Sequence, residues 1–240
     1  TENATFDFTA TAPNSFRLAQ LRAGDFNNFV LSETMEDIML GLNDDRIAVF
    51  FRPFANSTSG EFNGLINGID ASQTSIEPSN YSLSGTIFRE NTADLNANFL
   101  TAWETSFNLA EAAQRGLITA DAQSLYETGV KLAFEYWQTE LPADYLTGSA
   151  AFDAPGTTPI QQIITQKWIA NIINGYEGWI EYRRTGFPEL KPVSASLNNG
   201  LIPVRLPYPA EEEALNAENY AAAASATNGN SLDAKVWWDN

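Results

Sequence analysis

Cysteine and histidine are both missing from this 240-residue chain. Without thiols there is neither a disulfide framework nor a thiolate metal site. Without imidazole the commonest general base and the commonest transition-metal ligand go together. Any catalysis would have to run on carboxylate, lysine or tyrosine. Bases are scarce: 13 Lys and Arg stand against 30 Asp and Glu, a net charge of −17. That imbalance excludes a nucleic-acid footprint, which needs clustered cations, and it disfavours anionic lipid headgroups. It suits small neutral or cationic partners. No apolar run approaches the 18 or so residues of a membrane-spanning helix. P-loop, G-x-S-x-G and G-x-G-x-x-G patterns are absent, as is the calcium-loop pattern with its distal Glu.

The apolar fraction is 44%, with 12% aromatic, enough for a sizeable core. Much of it is arranged at helical spacing. Ser32 can cap a helix whose stripe is Met35, Ile38, Met39 and Leu42, stopping near "GLNDDR". Phe99, Trp103, Phe107, Ala110 and Ala113 predict a helix over 97–116 that Gly116 ends. Tyr126, Val130, Ala133 and Trp137 predict a second over 121–139, with Asp121 as its cap, and the short connection predicts an antiparallel hairpin of tetratricopeptide type. Thr158 and Pro159 open a third helix with Ile160, Ile164, Trp168 and Ile172 on one side; a fourth covers roughly 176–184. Five prolines between 186 and 209 predict an extended run, and "PAEEEALNAENYAAAAS" allows short helices with Asn216 as a cap between them. Residues 52–92 are rich in Gly, Ser, Asn and Thr without helical period, too long for a simple linker and of the kind that carries function.

Three sets of residues could carry chemistry. Glu33, Glu36 and Asp37, Asp44 and Asp45, and Glu211, Glu212 and Glu213 are candidate acid pairs for glycan hydrolysis, yet acids at helix starts are ordinarily solvated and favoured by the dipole. "LNDDR" and "GIDAS" offer oxygen ligands that suit calcium in a loop, at no assigned residue. Phe54, Phe62, Tyr81 and Phe88 lie in the long loop off any helical face. Aromatic rings beside amides suit carbohydrate, although for any single ring pinning the loop onto the helices is the weightier use. Arg183 and Arg184, in "WIEYRRTGFPEL", fall in a last helical turn where cations favour the dipole and where, in so acidic a chain, structural ion pairs are the favoured use.

"ITQKWIANIINGYEGWIEYRRTGFPEL" (164–190) resembles the signature of the SusD/RagB family of surface nutrient-binding lipoproteins. That signature is a Gln-Lys-Trp helix followed by Glu-x-Trp-x-Glu/Asp-x-Arg-Arg-Thr-Gly-x-Pro. Gln166, Lys167 and Trp168, then Glu177, Trp179, Glu181, Arg183, Arg184, Thr185, Gly186 and Pro188, occupy it. "SETMEDIMLGLNDDRIAVFF" resembles the family's segment ending in Asp-Pro-Arg, with Asp45 in place of the proline. "FLTAWETSFNLAEAAQRG" resembles its Glu-x-x-Phe-x-x-Ala-Glu-Ala helix, and "IPVRLPYPAEEEALNAENY" with "VWWD" its C-terminal stretch. The segments run in family order over about 32–239.

The resemblance implies a mostly α fold, an α/α superhelix with tetratricopeptide-like hairpins and long irregular loops. Residues 1–240 would be the C-terminal portion of one such domain: a 32–51 helix segment, a 52–92 loop region, a helical hairpin with third and fourth helices over 97–185, and an extended 186–240 segment. The opening "TENATF", without methionine, reads as a processed product or a fragment. The N-terminal half, bearing the lipid anchor at the outer-membrane surface, would then be a partner. The function implied is non-catalytic capture of oligosaccharide or peptide for a SusC-like TonB-dependent transporter, without cofactor. Trp168, Trp179, Arg183, Arg184 and Gly186 would be scaffold, and ligand contacts would lie in variable loops such as 52–92. A carboxylate glycan hydrolase and a tetratricopeptide scaffold for protein partners are the alternative readings.

Overall fold

Capping chemistry sets most helix boundaries. The computed structural model describes residues 2–70, 72, 76–90, 95–193, 195–196 and 198–239. Parts of the 52–92 segment therefore lie outside the described residues, among them Ala71 of "GIDAS". After strand β1 (Ala4–Asp7) and the single turn α1 (Ala23–Phe26), Ser32 Oγ accepts from Met35 N at 3.2 Å and opens α2 (Glu33–Leu42). Asn43, left-handed at φ 55°, closes α2, and α3 (Ile47–Phe50) follows.

The first four residues of the predicted 97–116 helix belong instead to strand β2 (Asn96–Leu100), antiparallel to β1. Thr101 caps the helix with its hydroxyl on Glu104 N at 3.4 Å, so α4 is Ala102–Gln114 and Phe99 lies outside it, 78% exposed. Pairing with a strand nearly a hundred residues earlier is a long-range effect that overrode the local 3.6-residue period. Asp121 caps α5 (Ala122–Tyr136), and Thr158 caps α6 (Pro159–Ala170) with Pro159 at its first position. Asn174 caps α7 (Gly175–Thr185), and Gly186, at φ 79°, ends it in the left-handed conformation that glycine tolerates best. Asn216 stands between α8 (Ala210–Leu215) and α9 (Ala217–Ala226) but caps neither: its amide donates to Glu212 and its carbonyl accepts from Asn219.

α4 and α5 form the hairpin, α6 packs onto α4, and α7 folds back beside α6. One core fills the hairpin with Trp103, Phe107, Tyr126, Val130 and Phe134, joined by Ile163 and Ile164 of α6. A second gathers Phe26, Leu31, Met35, Met39, Phe50 and Phe88 around Trp137 and Ile169. Each buried ring contributes about 1.5–3 kcal/mol. Residues 29–33 and 50–52 stitch the long loop down: Leu65 N donates to Leu31 O at 2.8 Å, Leu31 N to Ser82 O at 2.7 Å and Arg52 N to Leu83 O at 2.8 Å. Gly85 permits the closest approach, since a Cβ there would sit 2.1 Å from Val49 O.

Candidate functional site

Helix α6 is buried nearly all round. Beside its isoleucines it turns Gln162, Thr165, Gln166 and Lys167 inward, each under 9% exposed. Buried polar groups need partners, and this helix anchors two polar networks from the neighbouring residues Gln166 and Lys167. Toward α2, Gln166 Oε1 accepts from Arg46 at 2.8 Å. Arg46 also forks onto Asp44, at 2.9 and 2.5 Å, and stacks on Phe134 at 4.3 Å. The Tyr145 hydroxyl donates to Asp44 at 2.7 Å and accepts from Gln166 at 2.7 Å. Burial is the largest single influence on the guanidinium and lowers its pKa, but Asp44 and Tyr145 together raise it by more, so Arg46 stays charged; burial holds the Tyr145 hydroxyl well above its ordinary value. Asp45, the residue between the paired ones, is exposed, which is why a family pattern with proline there accepts an aspartate.

One residue on, α6 offers Lys167 to Asn108, Glu177 and Glu181 at 3.0–3.1 Å, with Glu104 at 3.6 Å. Arg184 extends the network, binding both oxygens of Glu111 at 2.5 and 2.6 Å and Glu181 at 2.5 Å. Arg183 points elsewhere. Its guanidinium lies 4.3 Å from the ring centroids of Trp179 and of Trp238, with Asp239 at 3.5 Å as an ion pair without hydrogen-bond alignment. The C-terminal "VWWD" is thereby latched to α7. Two cation–π contacts at a site this dry, 9% exposed for the arginine side chain, are worth about 1–2 kcal/mol each. Arg183→Ala is expected to cost about 2 kcal/mol and to speed amide exchange over Val236–Asp239; unchanged exchange there would rule out the latch. Trp168 is half-buried, and its ring fills the space a side chain at Gly178 would need, 2.8 Å from a Cβ built there. Trp179 donates its indole N–H to Pro203 O at 2.7 Å.

Between α2 and the N-terminal half of α6 lies a cleft of about 690 Å³. One wall is Asp37, Ile38 and Gly41; the other is Gln161, Gln162 and Thr165; the floor is the 147–157 loop, and Glu189 stands at the rim. Gln162 is locked, donating to Ser149 O at 3.0 Å and Thr157 Oγ1 at 3.1 Å. Hydroxyl and amide side chains share the lining with Ile38, Leu42, Ala154 and Pro155, and no aromatic contributes. Such a surface can exchange hydrogen bonds with a polyhydroxylated solute. Lys191 neutralises the outer edge, pairing with Glu33 at 3.2 Å and with Asp37.

The candidate acids disperse. Asp44 is consumed by Arg46 and Tyr145, Glu36 accepts from Gly64 N at 2.7 Å, and Glu211–Glu213 lie exposed in the first turn of α8. Asp37 alone of them lines the cleft. The loop aromatics part company as well. Phe88 is 5% exposed and packs against Trp137 at 6.2 Å, a core residue out of reach of any ligand. Phe62 is half-buried against the same core, and Phe54 and Tyr81 are half-buried at the loop surface. Gln162 and Thr165 escaped the sequence reading because an apolar stripe was sought on α6. The available signal was polar residues interleaved with isoleucine at helical spacing. Among the described residues no cluster of three or more acids could hold a metal, and no helix is long and apolar enough to cross a membrane.

The SusD-like family model, described as starch-binding associating with outer membrane, matches residues 1–209. The chain belongs to the SusD-like family. A SusD homolog from Bacteroides vulgatus ATCC 8482 is 30% identical over 88% of this SusD-like chain, with TM-score 0.72. A chitin-binding SusD homolog from Flavobacterium johnsoniae is 28% identical over 96%, with TM-score 0.74. A SusD homolog from Bacteroides uniformis ATCC 8492 is 27% identical over 99%, with TM-score 0.78. The chain covers 49%, 53% and 56% of those proteins respectively, so it spans about half the length of these solved relatives. No curated protein matches it. The mostly α fold with its tetratricopeptide-like hairpin is that of the family.

Proposed function

We propose that this chain is the C-terminal portion of a non-catalytic glycan-binding protein. It would work at the outer-membrane surface, held by a lipid anchor on an N-terminal half, and pass captured oligosaccharide to a SusC-like TonB-dependent transporter. Membership of a family described as starch-binding and outer-membrane-associated carries the reading. The chitin-binding description of the Flavobacterium johnsoniae relative adds to it, as does the cleft between α2 and α6, whose lining mixes hydroxyl and amide groups with apolar ones. Phe54, Phe62 and Tyr81 are the loop rings that stay partly exposed and so could meet a sugar. The engagement of most candidate acids in ion pairs and hydrogen bonds favours binding over hydrolysis.

Calorimetry on the full-length protein with neutral glucan and chitin oligosaccharides, and with peptides, tests the reading. Binding to at least one oligosaccharide is expected, with no release of reducing sugar. Thr165→Val and Gln161→Ala should each weaken it about tenfold, the worth of one well-made hydrogen bond. Silence in both variants with a loss in Tyr81→Ala would move the site to the loop. No binding of any glycan would dispose of the capture role, and recovery of a β-barrel transporter with the tagged protein tests the handover.

A further inference from the structure

The chain leaves α7 at Gly186 and runs along the rim of the cleft between α2 and α6. Two residues fix the start of this strap: Phe187 packs against the hairpin core, and Pro188 is buried. From there to Ala195, whose N–H donates to Gly68 O at 2.8 Å, no backbone–backbone hydrogen bond holds it among the described residues. Side chains tie it to the two walls instead. Glu189, at the rim, meets Gln161 of α6 with Nε2 to Oε1 at 3.5 Å, the outer limit of a hydrogen bond. Lys191 reaches the opposite wall, pairing with Glu33 at 3.2 Å and with Asp37, both on α2. Asp37, Gln161 and Glu189 all line the cleft. α2 itself is fixed from behind by Met35 and Met39 in the second core. The strap is therefore the adjustable member between two rigid walls. Its principal tie has a lysine side chain that is 39% exposed, so it is weak and open to screening by salt.

We infer that Lys191 is a positioning residue for sugar capture: by clasping the strap to α2 it presets the mouth of the cleft, a role that rests on the glycan-binding reading above. Clasped, the strap keeps Glu189 beside Gln161 and leaves the Asp37 charge compensated, so these lining side chains are ordered before a ligand arrives. Released, the strap swings on Phe187 and Pro188, and a bound sugar has to immobilise what the clasp held in advance. Preorganisation of this kind raises affinity by removing an ordering cost. It also gives an uncharged ligand a dependence on ionic strength, which hydrogen bonds to a neutral sugar do not supply. The screening length falls from about 8 Å at physiological salt to about 3 Å at 1 M.

Calorimetry on the full-length protein with maltohexaose or hexa-N-acetylchitohexaose, whichever the parent binds, is run at about 0.15 M and about 1 M sodium chloride. Lys191→Met is expected to weaken binding about three- to tenfold at the lower salt, the cost of ordering one loose side chain, and to show no response to salt. The parent should fall to the variant's affinity at the higher salt. Lys191→Arg, which can keep both ion pairs, should behave as the parent. A second readout needs no sugar, because this chain brings no cysteine of its own. Nitroxide labels introduced through Gly41→Cys, where an added Cβ meets nothing within 4 Å, and through Pro192→Cys, at an exposed position, report the distance from α2 to the strap. A narrow distance distribution is expected in the parent, broadened by Lys191→Met and by high salt and kept by Lys191→Arg. Equal affinity and equal salt response in parent and Lys191→Met, or a distribution unmoved by that change, would overturn the inference and leave sugar capture standing. Absence of any sugar binding would take down the capture reading and this role with it, and is told apart because the distances still show whether the clasp exists.

Discussion

Arg46→Ala is expected to lower stability by about 3–5 kcal/mol. Both members of its ion pair with Asp44 have side chains that are 0% exposed. In water such a pair is worth little; in the interior, removing one partner strands the other as a buried charge. Asp44 would keep only the Tyr145 hydroxyl and the backbone N–H of residue 46, the latter at 3.1 Å. The variant also opens a cavity beneath Phe134, against which the guanidinium stacks. Urea denaturation of the variant against the parent measures the loss. The double change Asp44→Asn with Arg46→Met, which removes both charges, should recover a large part of it, because the penalty is the uncompensated charge and not the missing contact. A single variant within about 1 kcal/mol of the parent would show the pair to be far better hydrated than its burial implies.

Lys167→Met should cost about 3 kcal/mol at neutral pH, toward the lower end for a buried ionic hub. The discount is physical: Glu104 and Glu177 are 22% and 26% exposed and keep some water, whereas Glu181, at 5%, does not. Burial works against the Lys167 charge, but Glu181 and Glu177 outweigh it and hold its pKa above the ordinary lysine value. Its contribution is therefore complete below that ordinary value and is lost only as pH rises through the folded one. Glu104 already sits above the ordinary carboxylate range, chiefly through burial. Without the lysine, Glu104 loses the charge that opposes its burial and is driven further up, so the folded state takes up a proton that the unfolded chain does not. The deficit of the variant should therefore shrink between about pH 7 and pH 5, since stability rises on acidification wherever the native state binds more protons.

The parent should behave in the opposite sense on its acid side. Burial pushes Glu111 up, yet Arg184 and Arg115 outweigh burial and keep it below the ordinary range, so its contribution falls away as pH drops through the folded value. Parallel pH profiles for variant and parent would refute the account of the hub.

Caps were legible because they are local: Ser32, Asp121 and Thr158 each serve a backbone N–H three residues ahead. The hairpin stripe was legible for the same reason, from Trp103 onward. Phe99 was misplaced because a strand partner at Ala4–Asp7 cannot be seen in a window around it. Phe88 pins the loop, the weightier of its two uses in sequence, but a loop sequence does not disclose which ring turns under Trp137. The site was hardest. Gln162 and Thr165 read as interruptions in an apolar helix, and only their meeting with α2 and the 147–157 loop makes them a lining.

By itself the sequence determined the helical class, most helix limits and, through the run from Gln166 to Pro188, the family. These depend on hydrogen bonds and side-chain spacings within a few residues. The tertiary structure alone decided that Arg46 meets a glutamine 120 residues away, that Arg184 serves Glu111 while Arg183 holds Trp238, and where the cleft opens. Those outcomes rest on which faces pack together, a choice made by burial summed over the whole chain, which no local pattern encodes.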